Sequence, residues 1–184
     1  LYNNLNNFKK PSFYDDYDLN NNFLVLTMHR PANVDSIVDF EKRIKEITSS
    51  AKHLKILFPV HPRTKKSLES IVDLPENLLC VEPLPYLEFN YLVKNSLGVI
   101  TDSGGITEEA TVFGVPCITM RDNTERPETV EYGTNILVGS TPTNLSKYID
   151  KMIAKNWKKA KIPEKWDGKT GKRIIKTLDR ILKN

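Results

Sequence analysis

Apolar positions fall in short runs separated by stretches in which they recur at helical spacing. Phe23-Leu24-Val25-Leu26-Thr27-Met28 is a run of buried-strand type. After Asp35-Ser36, a plausible helix N-cap, Ile37, Phe40, Ile44 and Ile47 recur three or four residues apart, which predicts an amphipathic helix. The alternation then repeats. Strands are predicted over 54–60, 78–81, 97–101, 116–120 and 135–138. Helices are predicted over 64–72, 86–95, 105–113 and 127–132, and two more close the chain over 142–155 and 168–183. Seven of the first 22 residues are Asn, around Leu1, Leu5 and Phe8, and this front segment reads as a short helix or linker. Strands of four to seven apolar residues alternating with helices predict an α/β class with a parallel sheet. Six strands with helices on both faces fit a Rossmann-like domain.

Composition narrows the class. The chain has 184 residues, 39% of them apolar and 27% charged, as expected of a soluble globular domain able to bury its own core. No apolar run approaches the roughly 18 residues of a membrane span. The start, Leu1-Tyr2-Asn3-Asn4, lacks the basic and apolar regions of a signal peptide and an initiator Met, so a piece of a longer protein is expected. Cys80 and Cys117 each sit in a strand-like stretch without metal-ligand spacing, which predicts buried free thiols in a reduced cytoplasm and no metal site. The net charge of +4 is uneven: residues 147–184 carry 13 Lys/Arg against 4 Asp/Glu. No aromatic residues interleave with these lysines in a stacking pattern, so a solvated helix face is expected and a nucleic-acid partner is not.

Ligands in an open parallel sheet bind beyond the carboxyl ends of the strands. The residues following the predicted strands are His29-Arg30, His61-Pro62-Arg63, Glu82-Pro83-Leu84-Pro85-Tyr86, Asp102-Ser103-Gly104-Gly105, and Arg121 with Thr124-Glu125-Arg126-Pro127-Glu128. Polar and cationic groups therefore share one sheet edge, which suits an anion. Ser103-Gly104-Gly105 joins a strand to a helix. Its missing Cβ atoms allow close approach to the backbone, and the N–H groups and dipole of a helix start favour phosphate. A tight turn without a ligand is the other reading. Neither a Walker A loop nor a GxGxxG pattern occurs, and no cofactor is expected. Glu108 and Glu109 point about 100° apart on a helix, so at most one faces a ligand there; beside phosphates, a ribose diol is its natural partner. Arg126, just before Pro127, can fork onto a phosphate or pair with Glu125 or Glu128. His29 is either a satisfied core histidine or part of the same edge.

In this order the pieces resemble the non-hydrolysing UDP-N-acetylglucosamine 2-epimerases. The matching stretches are Leu26 to Asp35, Pro59 to Thr64, Pro83 to Phe89, the long run TDSGGITEEATVFGVPCITMRDNTERPE from Thr101 to Glu128, and Gly133 to Gly139 with Asp167-Gly168-Lys169. The resemblance implies the C-terminal half of a GT-B-type enzyme of two Rossmann-like domains. It implies elimination of UDP from UDP-GlcNAc, a 2-acetamidoglucal intermediate, and re-addition to give UDP-ManNAc for cell-surface polysaccharide precursors. By position, Ser103, Gly104 and Gly105 would hold the diphosphate through N–H groups, with Arg30 and Arg126 also on the UDP. Glu109 would take the ribose hydroxyls, Leu84 and Phe89 the uridine, and His29 would assist the leaving group. The carboxylates that move the sugar C2 proton belong to the family's N-terminal domain, so the chain alone is expected not to epimerise. The implied division is 1–21 as interdomain linker, 22–166 as the UDP-binding domain and 167–184 as a helix crossing to the other domain. Without that domain, the Ile174, Ile175, Leu178, Ile181 stripe is expected to repack locally or to make a homodimer contact. Two positions depart from the family pattern: Ala32 stands where many members carry Glu in a segment tied to a second, regulatory UDP-GlcNAc, and Thr107 replaces a common Gln. A modified UDP-sugar as substrate, a GT-B glycosyltransferase and a nucleotide-binding module without catalysis are the alternatives.

Overall fold

Among the described residues, six parallel strands form one sheet in the order β3-β2-β1-β4-β5-β6. The computed structural model describes residues 1–140 and 144–183. The strands are β1 (Phe23–Thr27), β2 (Lys55–Pro59), β3 (Leu78–Val81), β4 (Gly98–Thr101), β5 (Cys117–Thr119) and β6 (Asn135–Leu137). The helices are α1 (Pro31–Val34), α2 (Ile37–Ser50), α3 (Pro62–Glu69), α4 (Tyr86–Asn95), α5 (Gly104–Phe113), α6 (Pro127–Glu131), α7 (Leu145–Ile153) and α8 (Thr170–Leu182). This is the Rossmann-like α/β architecture read from the pattern. Positions 142 and 143, where the helix before residue 155 was expected to begin, lie outside the described residues.

Strand residues alternate between two apolar layers because successive side chains leave opposite faces of the sheet. Leu24, Leu26, Ile56, Phe58, Ile100 and Ile118 pack with α2 and α7, through Phe40, Ile44, Ile47, Ile149 and Met152. Phe23, Val25, Leu57, Val99 and Cys117 pack with α4 and α5 and with Tyr14 and Leu19 of the front segment. Burial on both faces is why the strands read as continuous apolar runs rather than alternating ones. The Ser36 hydroxyl caps α2 by accepting from the Asp39 N–H at 3.4 Å. Ile37, read as part of the helix stripe, is instead 45% exposed, since it lies in the first turn beyond the reach of the sheet. At Gly98 a Cβ atom would stand 2.1 Å from Met152 Sδ, so the glycine lets α7 settle on β4.

The front segment contains two 3-10 turns, Tyr2–Asn4 and Ser12–Tyr14. Tyr14 packs edge-on against Phe23 and Tyr91, at 5.9 and 5.5 Å between ring centres. At the other end, α8 buries no residue: Ile174, Ile175, Leu178 and Ile181 are all more than half exposed. Local repacking of that stripe, one of the two expectations, does not occur in this chain.

Candidate functional site

Strand order reverses between β1 and β4, whose neighbours lie on opposite sides, and this opens a crevice beyond their carboxyl ends. A cavity of about 410 Å³ lies there. His29 enters it from the end of β1, Leu84 and Phe89 from the β3–α4 connection and α4, and Ser103 and Glu109 from α5 and its approach. Met28, Pro59, Pro83 and Ile106 add apolar lining, and Thr27, His61 and Tyr86 add polar groups. A second cavity of about 380 Å³ shares Tyr86 and Glu109 and adds Gly105, Glu108 and Trp166.

The first turn of α5 faces this crevice. Ser103 occupies the N-cap position in extended conformation without a side-chain cap. Its own N–H is already taken by Thr101 Oγ1 at 3.0 Å. The N–H groups of Gly104 and Gly105, as the first helical residues, have no acceptor one turn back. A Cβ at Gly105 would meet nothing within 4 Å, so the backbone there is open to a ligand. Thr107 is fully buried and its hydroxyl donates to Gly104 O at 2.6 Å, closing the first turn from inside.

The two adjacent glutamates separate as helical geometry requires. Glu108 lies outside the main cavity and pairs with Arg126, Oε1 to Nε 2.7 Å. Glu109 turns into the cavity. Burial pushes its carboxyl above the ordinary carboxylate range, against the opposing pull of hydrogen bonds from Tyr86 and Asn90. Burial, and then Glu109, likewise push the Tyr86 phenol up. A half-buried carboxylate with an apolar shelf beside it can accept hydrogen bonds from hydroxyl groups of a ligand.

Arg30 and Arg126 do not line the main cavity. Arg30 Nε donates to Asp102 O at 3.1 Å, and its side chain borders a smaller cavity of about 180 Å³ with Ala32 and Arg121. Arg126 pairs with Glu108 rather than with Glu125 or Glu128, because its guanidinium lies over the start of α5; it also donates to the Glu125 carbonyl at 3.2 Å. Glu125 is taken by the nearly buried Arg121, through bonds of 2.8 and 2.9 Å. That ion pair holds the Glu125 carboxyl down at about 2.

The structure adds a residue that the motif reading passed over. Asp102 is fully buried, and its carboxylate accepts from the backbone N–H of His29 and of Arg30 and from Asn33 Nδ2, at 3.0, 2.8 and 3.1 Å. His29 Nδ1 lies 2.7 Å from its other oxygen. The available signal was a carboxylate at the end of a buried strand, two residues before the glycine pair. A buried charge in that place needs donors from a neighbouring strand end. Among the described residues no group of three or more His, Cys, Asp or Glu side chains is placed to hold a metal ion.

Fold and crevice together define a Rossmann-like α/β domain with a ligand cleft at its topological switch point. The chain belongs to the UDP-N-acetylglucosamine 2-epimerase family, whose description matches residues 2–179. It is 40% identical over 180 residues to the UDP-N-acetylglucosamine 2-epimerase of Methanocaldococcus jannaschii, covering 91% of this chain and 47% of that protein. It is 39% identical over 123 residues to the UDP-2,3-diacetamido-2,3-dideoxy-D-glucuronate 2-epimerase of Pseudomonas aeruginosa, covering 64% and 33%. The crystal structure of the Methanocaldococcus jannaschii UDP-GlcNAc 2-epimerase in complex with UDP-GlcNAc and UDP superposes with a TM-score of 0.77 at 38% identity, covering 97% of this chain and 51% of that one. The chain spans about half the length of the curated relatives it matches.

Proposed function

We propose that this chain is the UDP-binding, C-terminal half of a GT-B-type, cytoplasmic UDP-N-acetylglucosamine 2-epimerase. The observation that carries the reading is the shared cavity: the half-buried Glu109 carboxylate, the apolar shelf of Leu84 and Phe89, and Ser103 at the start of α5 all face one space. In the proposed complex the N–H groups of Gly104 and Gly105 and the Ser103 hydroxyl receive the diphosphate at the positive end of α5. Glu109 accepts the ribose hydroxyls, and the uracil lies on Phe89 and the Leu84 backbone. Arg30 and Arg126 lie at the edges of this site, and Arg126 exchanges its Glu108 partner for phosphate oxygen. His29 donates a hydrogen bond to the departing UDP.

Breaking the bond between sugar C1 and UDP leaves negative charge on the diphosphate. Oriented N–H groups and cations at this edge stabilise that charge more in the transition state than in the ground state. Removal and return of the C2 proton need a general base and acid, which we assign to the N-terminal domain of the whole protein. That domain is also the natural cover for the exposed face of α8. Residues 1–21 then form the interdomain connection, 22–166 the UDP-binding domain and 167–184 the crossover helix. No cofactor or metal is required.

Calorimetry with UDP, UDP-GlcNAc and ADP tests the site. Preference for the uridine nucleotides over ADP is expected, with UDP binding itself weakened in Glu109→Ala; equal binding of ADP, or UDP binding indifferent to Glu109, sinks the assignment. The chain by itself is expected not to turn over UDP-GlcNAc. A modified UDP-sugar is the second reading, supported by the 39% identity to an epimerase of a diacetamido glucuronate.

A further inference from the structure

We infer that Asp102 is a positioning residue that dictates which nitrogen of His29 meets the diphosphate, and that UDP therefore binds together with a proton. The inference rests on the UDP reading of the site for its second half only. Asp102 is 0% exposed; its Oδ2 accepts from the backbone N–H groups of His29 and Arg30 and from the amide of Asn33, and the His29 N–H also reaches Oδ1, at the longer distance of 3.2 Å. Its Oδ1 faces His29 Nδ1 at 2.7 Å. An ionised carboxylate only accepts hydrogen bonds, so Nδ1 must carry the hydrogen. The neutral ring then has its lone pair on Nε2, the nitrogen left for a ligand in the cavity that His29 lines.

A lone pair cannot donate to a phosphate oxygen. For His29 to contact a diphosphate productively, Nε2 must take a proton from solvent. The imidazolium then donates twice, from Nδ1 to Asp102 and from Nε2 to the ligand. Other charged or titratable groups share the surroundings of the ring, His61, Glu109 and Tyr86 among them. His61, 5.4 Å away between ring centres, accepts from the Arg63 N–H through Nδ1 and carries its own hydrogen on Nε2. Arg30 is turned to Asp102 O, and Glu109 and Tyr86 enter the same cavity from α5 and α4. The three donors at Oδ2 also predict the effect of an amide. In Asp102→Asn the amide oxygen must take the Oδ2 place, which puts its NH2 against His29 Nδ1. The hydrogen of His29 moves to Nε2, and the neutral ring can donate to the ligand without taking up a proton.

The test combines nitrogen NMR of His29, assigned by comparison with His29→Ala, with calorimetry of UDP binding in buffers of different ionisation enthalpy. Both are run at about pH 8, above the ordinary histidine range. In the wild-type chain the free ring is expected to be the Nδ1–H tautomer, and UDP binding to take up about one proton. In Asp102→Asn the tautomer is expected to reverse and the uptake to vanish, with the fold checked by its thermal transition. An Nε2–H tautomer in the wild type, a ring already doubly protonated at that pH, or equal proton uptake in the variant overturns the inference. If Asp102→Asn does not fold, the wild-type tautomer and the loss of uptake in His29→Ala decide it. If UDP does not bind at all, the proposed function fails, while the tautomer measurement still decides the role of Asp102.

Discussion

The carboxylate of Glu125, clamped by both guanidinium nitrogens of Arg121 at 2.8 and 2.9 Å, lies directly over the first glycine of α5. A Cβ on Gly104 would stand 3.3 Å from Glu125 Oε2. An internal anion thus borders the position assigned to the diphosphate. Two negative groups there repel, so Glu125→Gln is expected to tighten UDP binding by roughly 3- to 30-fold, the effect of removing one charge at partly screened distance. Calorimetry of the variant checks it; weaker binding would instead make Glu125 a ligand group, placed to meet hydroxyls rather than phosphate.

The same pair has a consequence for acid stability. The Glu125 carboxyl has an ordinary value of 4.5 and is held at about 2 by the Arg121 hydrogen bonds. Asp167, bonded to Arg173 and the Lys169 N–H, is held at about 2 from 3.8. A carboxyl whose folded value is lowered stabilises the fold above its unfolded value, and that contribution is lost as the pH falls towards the folded value. Thermal transitions are therefore expected to be insensitive to these two groups above about pH 5 and to fall between there and about pH 2. Glu125→Gln should flatten the steeper, Glu125 part of that decline. Both carboxylates are exposed, so the effect should shrink in high salt.

Thiol chemistry should be slow in the folded chain. Burial pushes Cys117 from 9.0 up to about 12, and burial also raises Cys80. At about pH 8 the thiolate of Cys117 is roughly a thousandfold scarcer than that of a free cysteine, besides being out of reach. A disulfide reagent is expected to titrate Cys117 only at the rate of unfolding and both cysteines at once in denaturant. For a raised thiol the sign is the reverse of the carboxylate case. Its contribution is fully present below 9.0 and is lost as the pH rises from there to about 12, because only the unfolded thiol ionises.

Packing at β4 gives a mutational test of the fold. Gly98→Ala places a methyl group inside the van der Waals space of Met152, which is itself 1% exposed. Overpacking of this kind costs about 1–3 kcal/mol. Met152→Ala alone should cost about 2–5 kcal/mol through the cavity it leaves. The double variant is expected to be more stable than the sum of the two losses, since the added methyl partly fills that cavity. Denaturant melts of the four proteins measure the coupling, and strict additivity would contradict the contact.

Much of the fold was legible because its physics is local. Phe23 to Leu26 is apolar without a break because β1 is covered on both faces, and the Ser36 cap and the Phe40, Ile44, Ile47 spacing announce α2 within a dozen residues. The cluster at the strand ends followed from order alone, since parallel strands bring their carboxyl ends to one edge. Ile37 misled because spacing marks a helix face, whereas burial depends on where the sheet ends. Arg126 showed its chemistry but not its partner: Glu108 is 18 residues away and becomes a neighbour only when α5 and the segment before α6 are packed together.

By itself the sequence determined the α/β class, the glycine turn at the start of α5 and the family, because these rest on periodicity, short-range geometry and residue identity. Only the tertiary structure decided which groups face one another. It paired Glu108 with Arg126, left the α8 stripe uncovered, laid Glu125 over Gly104, and set Asp102 against His29 across 73 residues of chain. Contacts of that kind depend on hydrogen-bond donors and charges delivered by different strands. No local pattern encodes them, because the energy of a buried carboxylate is settled only by what surrounds it once the chain has closed.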